Sequence, residues 1–138
     1  MMSYTEAMHT TTAYRLQDAD RDLNDLLDPE QQYSFPMSGE DEDVRHGVSG
    51  CLTLGDLAAY IATHAIEMDV PVLVRIEGPE SEDVPVDGEH GEVLILPVRA
   101  ERIEDDEKFF DLVSDLVDMY WEQGLDCAAL RDVAADRI

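Results

Sequence analysis

The order of patterned segments predicts an α+β fold: a small, mainly antiparallel sheet, with strands at about 70–77 and 92–99, packed by about four helices. Two observations carry this expectation. In both proposed strands Val, Ile and Leu recur at a period of two. Elsewhere apolar residues recur every three or four positions, the period of an amphipathic helix.

The first segment, through about residue 28, reads as helix, most clearly from Tyr14. Leu16, Ala19, Leu23, Leu26 and Leu27 share one helical face, and Asp18, Asp20, Arg21, Asp22, Asn24 and Asp25 flank or oppose it. Thr10, Thr11 and Thr12 are β-branched and weak helix formers, which leaves the start open between about residues 3 and 12. Pro29 helps end the segment, because the residue before proline disfavours helix. Residues 29–52 are the least regular. Tyr33, Phe35 and Met37 alternate like a short strand that Pro36 interrupts, and residues 39–43 read as an exposed acidic turn. Residues 44–52 read as an edge strand or an ordered loop, with bends at Gly47, Ser49 and Gly50.

Thr53 opens the clearest foldable unit. Thr53-Leu54-Gly55-Asp56 fits a capping box with Thr53 as N-cap. Leu54, Leu57, Ala58, Ile61, Ala62 and Ala65 then form one stripe, and this helix ends near Met68. In the strand at 70–77, Val70, Val72, Val74 and Ile76 face one way, Leu73 and Arg75 the other. In the strand at 92–99, Leu94, Leu96 and Val98 oppose Val93 and Ile95, a pattern that predicts burial on both faces. Pro97 cannot donate to a ladder, so that end belongs at an edge or a bulge. The connection at 78–91 is longer than the ~12 residues beyond which loops tend to be functional or mobile, unless 84–86 adds a strand.

A long helix is expected over 105–123, with Gly124 suited to its C-terminal turn, and a short one over 126–137. The apolar residues of the long helix, from Phe109 to Trp121, cover an arc of roughly 200°, against the ~100° that one core requires. Either two layers hold it or part of it meets another chain.

At 138 residues, one domain spanning 1–138 is expected. Asp and Glu number 33 against 9 Lys and Arg, so 33 − 9 leaves 24 net negative charges, and Lys108 is the single lysine. Apolar content of 44% argues against wholesale disorder. Acidic excess over the whole chain with lysine nearly absent resembles cytoplasmic proteins of extreme halophiles, particularly small acidic proteins of haloarchaea. The resemblance is one of composition and implies a habitat. In molar salt the Debye length shrinks to about 3 Å, and carboxylate repulsion is screened. The rival reading is an acidic mimic of nucleic acid, which needs its charge concentrated on one surface. Direct nucleic-acid binding is not expected, since no basic patch exists to replace phosphate counterions. The first residues lack a basic, then apolar, leader, and no apolar run approaches the ~18 residues of a membrane span. A cytoplasmic location with no membrane partner is expected.

No motif assigns a catalytic, cofactor-binding or metal residue. Asp18, Asp20 and Asp22 resemble the opening of a calcium loop, but Leu23 and Pro29 occupy the positions that need glycine and glutamate. Glu6 and His9 form a single E-x-x-H where a di-iron bundle needs two. His46, His64 and His90 show no metal-ligand spacing, and nothing local couples His46 as a base to Cys51. Ser49 in G-V-S-G-C lacks the nucleophile-elbow context. Cys51 and Cys127 read as small buried residues. Gly78 and Gly88 read as loop punctuation.

The functional expectation is a non-enzymatic binding or regulatory module acting as a homodimer. The second copy would meet the wide face of the helix at about 105–123 or complete the sheet. Two strands alone are marginal, so a third must come from 33–52, from 78–91 or from a second chain. The alternatives are an enzyme or metal-dependent protein built from His46, His64 and scattered carboxylates, and the acidic mimic.

Overall fold

A computed structural model describes residues 10–34, 44–64, 68–85 and 88–137. Seven strands are described: β1 (Thr11–Asp18), β2 (Tyr33–Ser34), β3 (Arg45–His46), β4 (Val48–Cys51), β5 (Pro71–Gly78), β6 (Glu92–Ile95) and β7 (Arg99–Arg102). Three α-helices accompany them: α1 (Leu54–His64), α2 (Glu107–Gln123) and α3 (Cys127–Ala135). The fold is α+β. Five strands form one antiparallel sheet in the order β6-β4-β1-β5-β7, and β2 and β3 pair separately.

The first segment corrects the expected helix. Residues 11–18 are the central strand, and Leu23–Leu27 is a 3-10 turn, so three α-helices stand among the described residues where about four were expected. β1 is covered on both faces, and its alternation is short. Tyr14 and Leu16 point to the helices, and Ala13, Arg15 and Gln17 point to the opposite face, while Leu16 also fits the helical spacing of Ala19 and Leu23 that follows. The β-branched threonines and Tyr14 suit a strand, and burial in mid-sheet outweighed the helical spacing. Asp18 thus ends a strand, while Asp22 caps the 3-10 turn by accepting from Asn24 N at 2.9 Å, which dismantles the calcium-loop pattern. Glu6, His9, Phe35, Met37, Ala65 and the acidic turn at 39–43 lie outside the described residues.

The expected strand at 92–99 is two strands on opposite edges. After β6 the chain crosses the end of β5, with Leu96 N donating to Pro79 O and Val98 N to Glu77 O, both at 2.8 Å. It then pairs as β7 on the far side. Pro97 sits in this crossing, consistent with its missing donor. The crossing requires Gly78, because a Cβ there would stand 2.1 Å from Leu96 O. Gly78 is therefore a packing position and not mere punctuation. All strands of the sheet come from this chain. Residues 79–81 bond along the outer side of β6, and the other edge, β7, carries Arg99, Glu101 and Arg102. The strands that join the two expected ones come from residues 11–18 and 48–51.

α1 begins as expected, with Asp56 N donating to Thr53 Oγ1 at 3.0 Å. Its stripe packs with α2, α3 and the sheet around Leu16, Leu73, Leu116 and Leu130. The wide arc of α2 is mostly held within the chain. Phe109, Leu112 and Leu116 are buried, while Phe110, Val113, Val117, Met119 and Tyr120 pack partly buried around them. Trp121 alone among these is 75% exposed. On the opposite face Val48, Val72, Val74, Ile76 and Ile95 pack under Leu26 of the 3-10 turn. The buried Gln32 staples this layer by donating to Leu26 O and Pro97 O. No described helix is long and apolar enough to cross a membrane.

Candidate functional site

β1 and β4 meet closely at one point and then part. Tyr14 stands opposite Cys51, and Gly50 lies so near that a Cβ on it would be 3.0 Å from Tyr14 O. The ladder is not continued toward Val48, and Ser49 O instead accepts from Arg15 Nη1 at 3.0 Å. A cleft of about 330 Å³ opens there, within the ordinary range for small-ligand sites.

Six parts of the chain build it. β1 contributes Arg15; the following turn contributes Arg21 and Leu26; Gln31, Tyr33 and Ser34 come from the second 3-10 turn and β2. β4 contributes Val48 and Ser49, α1 contributes Tyr60, and β6 contributes Glu92. Ser49 Oγ donates to the Glu92 carboxylate. Ser34 Oγ donates to Gly47 O at 2.7 Å, which ties the rim to the bend before β4.

Arg15 is the unusual member. Its Nε is buried and has no hydrogen-bond partner among the described residues. Burial, and secondarily the positive charge of Arg21, pull its pKa down to about 10. Neither Arg15 nor Arg21 forms an ion pair among the described residues, although the chain holds 33 carboxylates. By contrast Arg75 pairs with Glu101, Arg99 with Glu77, Arg102 with Glu104, Arg131 with Asp56 and Arg137 with Asp115.

The histidines raised by the sequence are placed apart from one another or in ring stacks. His46 lies against the Tyr33 ring at 5.1 Å, and its backbone N–H donates to Asp83. His64 stacks on Tyr60 at 3.9 Å, with Nδ1 2.9 Å from Tyr60 O, and meets the His90 ring edge-on at 5.8 Å. No cluster of three or more His, Cys, Asp or Glu fit for a metal exists among the described residues. Cys51 is buried in the helix-side core with its thiol pushed up to about 12, first by burial and then by Asp56 and Glu92. Such a thiol is a poor nucleophile. Cys127 is also buried and its pKa raised, chiefly by burial.

Arg15 and Arg21 were not singled out from the sequence. Their signal was an arginine inside an otherwise strand-like run, with a second one six positions on, in a chain with few cations. Compared with family models, curated proteins and solved structures, the chain matches none.

Proposed function

We propose that the protein is a non-enzymatic binding or regulatory module of a haloarchaeal cytoplasm, and that its ligand occupies the β1/β4 cleft. The observation that carries this reading is the cleft itself, where side chains from six parts of the chain converge on a space of about 330 Å³. Exposed carboxylates on turns, strands and helices, such as Asp20, Glu30, Glu101, Asp118 and Asp132, favour a solvating shell over a single acidic strip. That distribution supports adaptation to salt over mimicry of nucleic acid. A fragment screen by amide NMR in molar KCl tests the binding site. Shifts clustered at Ser34, Val48, Ser49 and Tyr60 are expected, and fragments that shift only other regions, or none, would refute it.

Homodimerisation belongs to the same proposal, through the outer face of α2. Trp121, 75% exposed and edge-on to Tyr120 at 5.4 Å, supports it. Light scattering that gives a monomer in molar KCl removes this part. A second reading, an enzyme, draws on the Ser49 hydroxyl bonded to the Glu92 carboxylate inside the cleft. It requires turnover that Ser49→Ala abolishes while ligand binding persists.

A further inference from the structure

We infer that the β1/β4 cleft binds a small molecule through an oxyanion, a phosphate or carboxylate group held between Arg15 and Arg21. The inference rests on the reading of that cleft as a binding site and adds the chemical class of what fills it.

Here 33 carboxylates accompany eight arginines, and at least five of those arginines pair with Asp or Glu among the described residues. Against that background one arginine with a buried guanidinium nitrogen lacks a counter-charge among the described residues. Arg15 projects from the central strand, keeps one bond to Ser49 O, and leaves Nε buried and unpartnered among the described residues. Burying a cation without a counter-charge is costly, so it persists where a counter-charge arrives from outside. Arg21 lines the same cleft and repels Arg15, so the cleft carries two cations. A bound anion relieves both the burial and the repulsion.

The groups fit an oxyanion better than a halide. A guanidinium offers a planar fork of N–H donors matched to carboxylate or phosphate oxygens. Gln31, Tyr33 and Ser34 add amide and hydroxyl groups for a polar body. The one carboxylate that lines the cleft among the described residues, Glu92, is engaged by the Ser49 hydroxyl, and β6 places it on the face opposite Arg15. At about 330 Å³ the cleft sits at the lower end of small-molecule sites, which suits a metabolite-sized anion.

The test is a titration of the full chain in molar KCl, followed by amide NMR and by thermal shift. The probes are inorganic phosphate, glycerol phosphate, succinate and neutral glycerol. At least one of the three anions is expected to shift Ser34, Val48 and Ser49 and to raise the melting temperature, with glycerol inert. Phosphate compounds acting alone would assign a phosphate, and succinate acting alone a carboxylate. Arg15→Gln should weaken binding by roughly 10- to 100-fold, the worth of a charged hydrogen bond. Arg21→Gln, on an exposed turn, keeps the test open should the central-strand variant fold poorly, and should weaken binding by a smaller factor. Neutral fragments that bind the cleft while all three anions fail would overturn the oxyanion and spare the site. A cleft that no fragment perturbs would overturn both, and affinity unchanged in both variants would overturn the role of the arginines.

Discussion

Arg131 Nε donates to Asp56 Oδ1 at 2.9 Å, joining α3 to the first turn of α1. The same guanidinium donates through Nη1 to Glu89 O, and Gly91, at φ +93°, turns the chain past Asp56 into β6. Both side chains are partly buried, so the pair is worth more than a surface contact. Asp56→Asn is expected to cost about 1–2 kcal/mol, since a charge-assisted bond becomes a neutral one. Gly91→Ala should cost more, because its Cβ would approach Asp56 Oδ2 to 2.9 Å at a backbone angle L-residues avoid. Urea unfolding of the two variants measures both.

Gly78 offers a sharper prediction. The Leu96 carbonyl fills the place of its side chain, and backbone cannot swing aside as a side-chain tip does. Gly78→Ala should fall at the exceptional end of point mutations, above about 4 kcal/mol. A variant with a wild-type melting temperature would contradict the crossing of residues 96–98 over β5.

Cys51 predicts a pH dependence. Its folded pKa, about 12, lies above the usual value of 9.0. Below about pH 9 both folded and unfolded thiols are protonated, and this contribution to stability is fully present. As pH rises from about 9 toward 12 the unfolded thiol ionises first and stability is lost, with a limiting slope of about 1.4 kcal/mol per pH unit. Cys51→Ala should show a flatter decline over that window in denaturant titrations. In the native wild type, a thiol reagent near neutral pH should leave Cys51 unmodified.

Trp121 is the chain's single tryptophan, and it reports the outer face of α2 without mutation. In a monomer it is expected to emit as a solvated indole and to be quenched readily by acrylamide. If α2 forms the dimer face, quenching should weaken as protein concentration rises, and Trp121→Ala should shift the equilibrium toward monomer.

With 24 net negative charges, the melting temperature should climb with KCl as the Debye length shortens. A melting temperature indifferent to KCl would count against adaptation to salt.

Legibility from the sequence followed local chemistry. The Thr53 cap, the Val72-Val74-Ile76 alternation and the long C-terminal helix are short-range patterns, and all three stand where the residues placed them. β1 was misread because its alternation of Tyr14 and Leu16 against Arg15 and Gln17 is short, and Leu16 also fits the helical spacing of Ala19, Leu23 and Leu26 downstream. The split of 92–99 depends on Gly78, a position some twenty residues earlier, and no window around Pro97 contains that information. The cleft was invisible for a related reason. Arg15, Tyr33, Ser49, Tyr60 and Glu92 converge only after β1 has entered the middle of the sheet.

The place of β1 at the sheet's centre also governs when the sheet can form. Its partner β5 is distant in sequence, with Thr11 opposite Gly78, a separation of 78 − 11 = 67 residues. Such a loop must close before its ladder contributes anything, so folding is governed by a long-range encounter and belongs with slower, high-contact-order topologies. At ribosomal rates of about 5–20 residues per second, β1 emerges seconds before β5 exists to receive it. For that interval its Tyr14 and Leu16 depend on Asp18, Asp20 and Asp22 just downstream to keep neighbouring chains away.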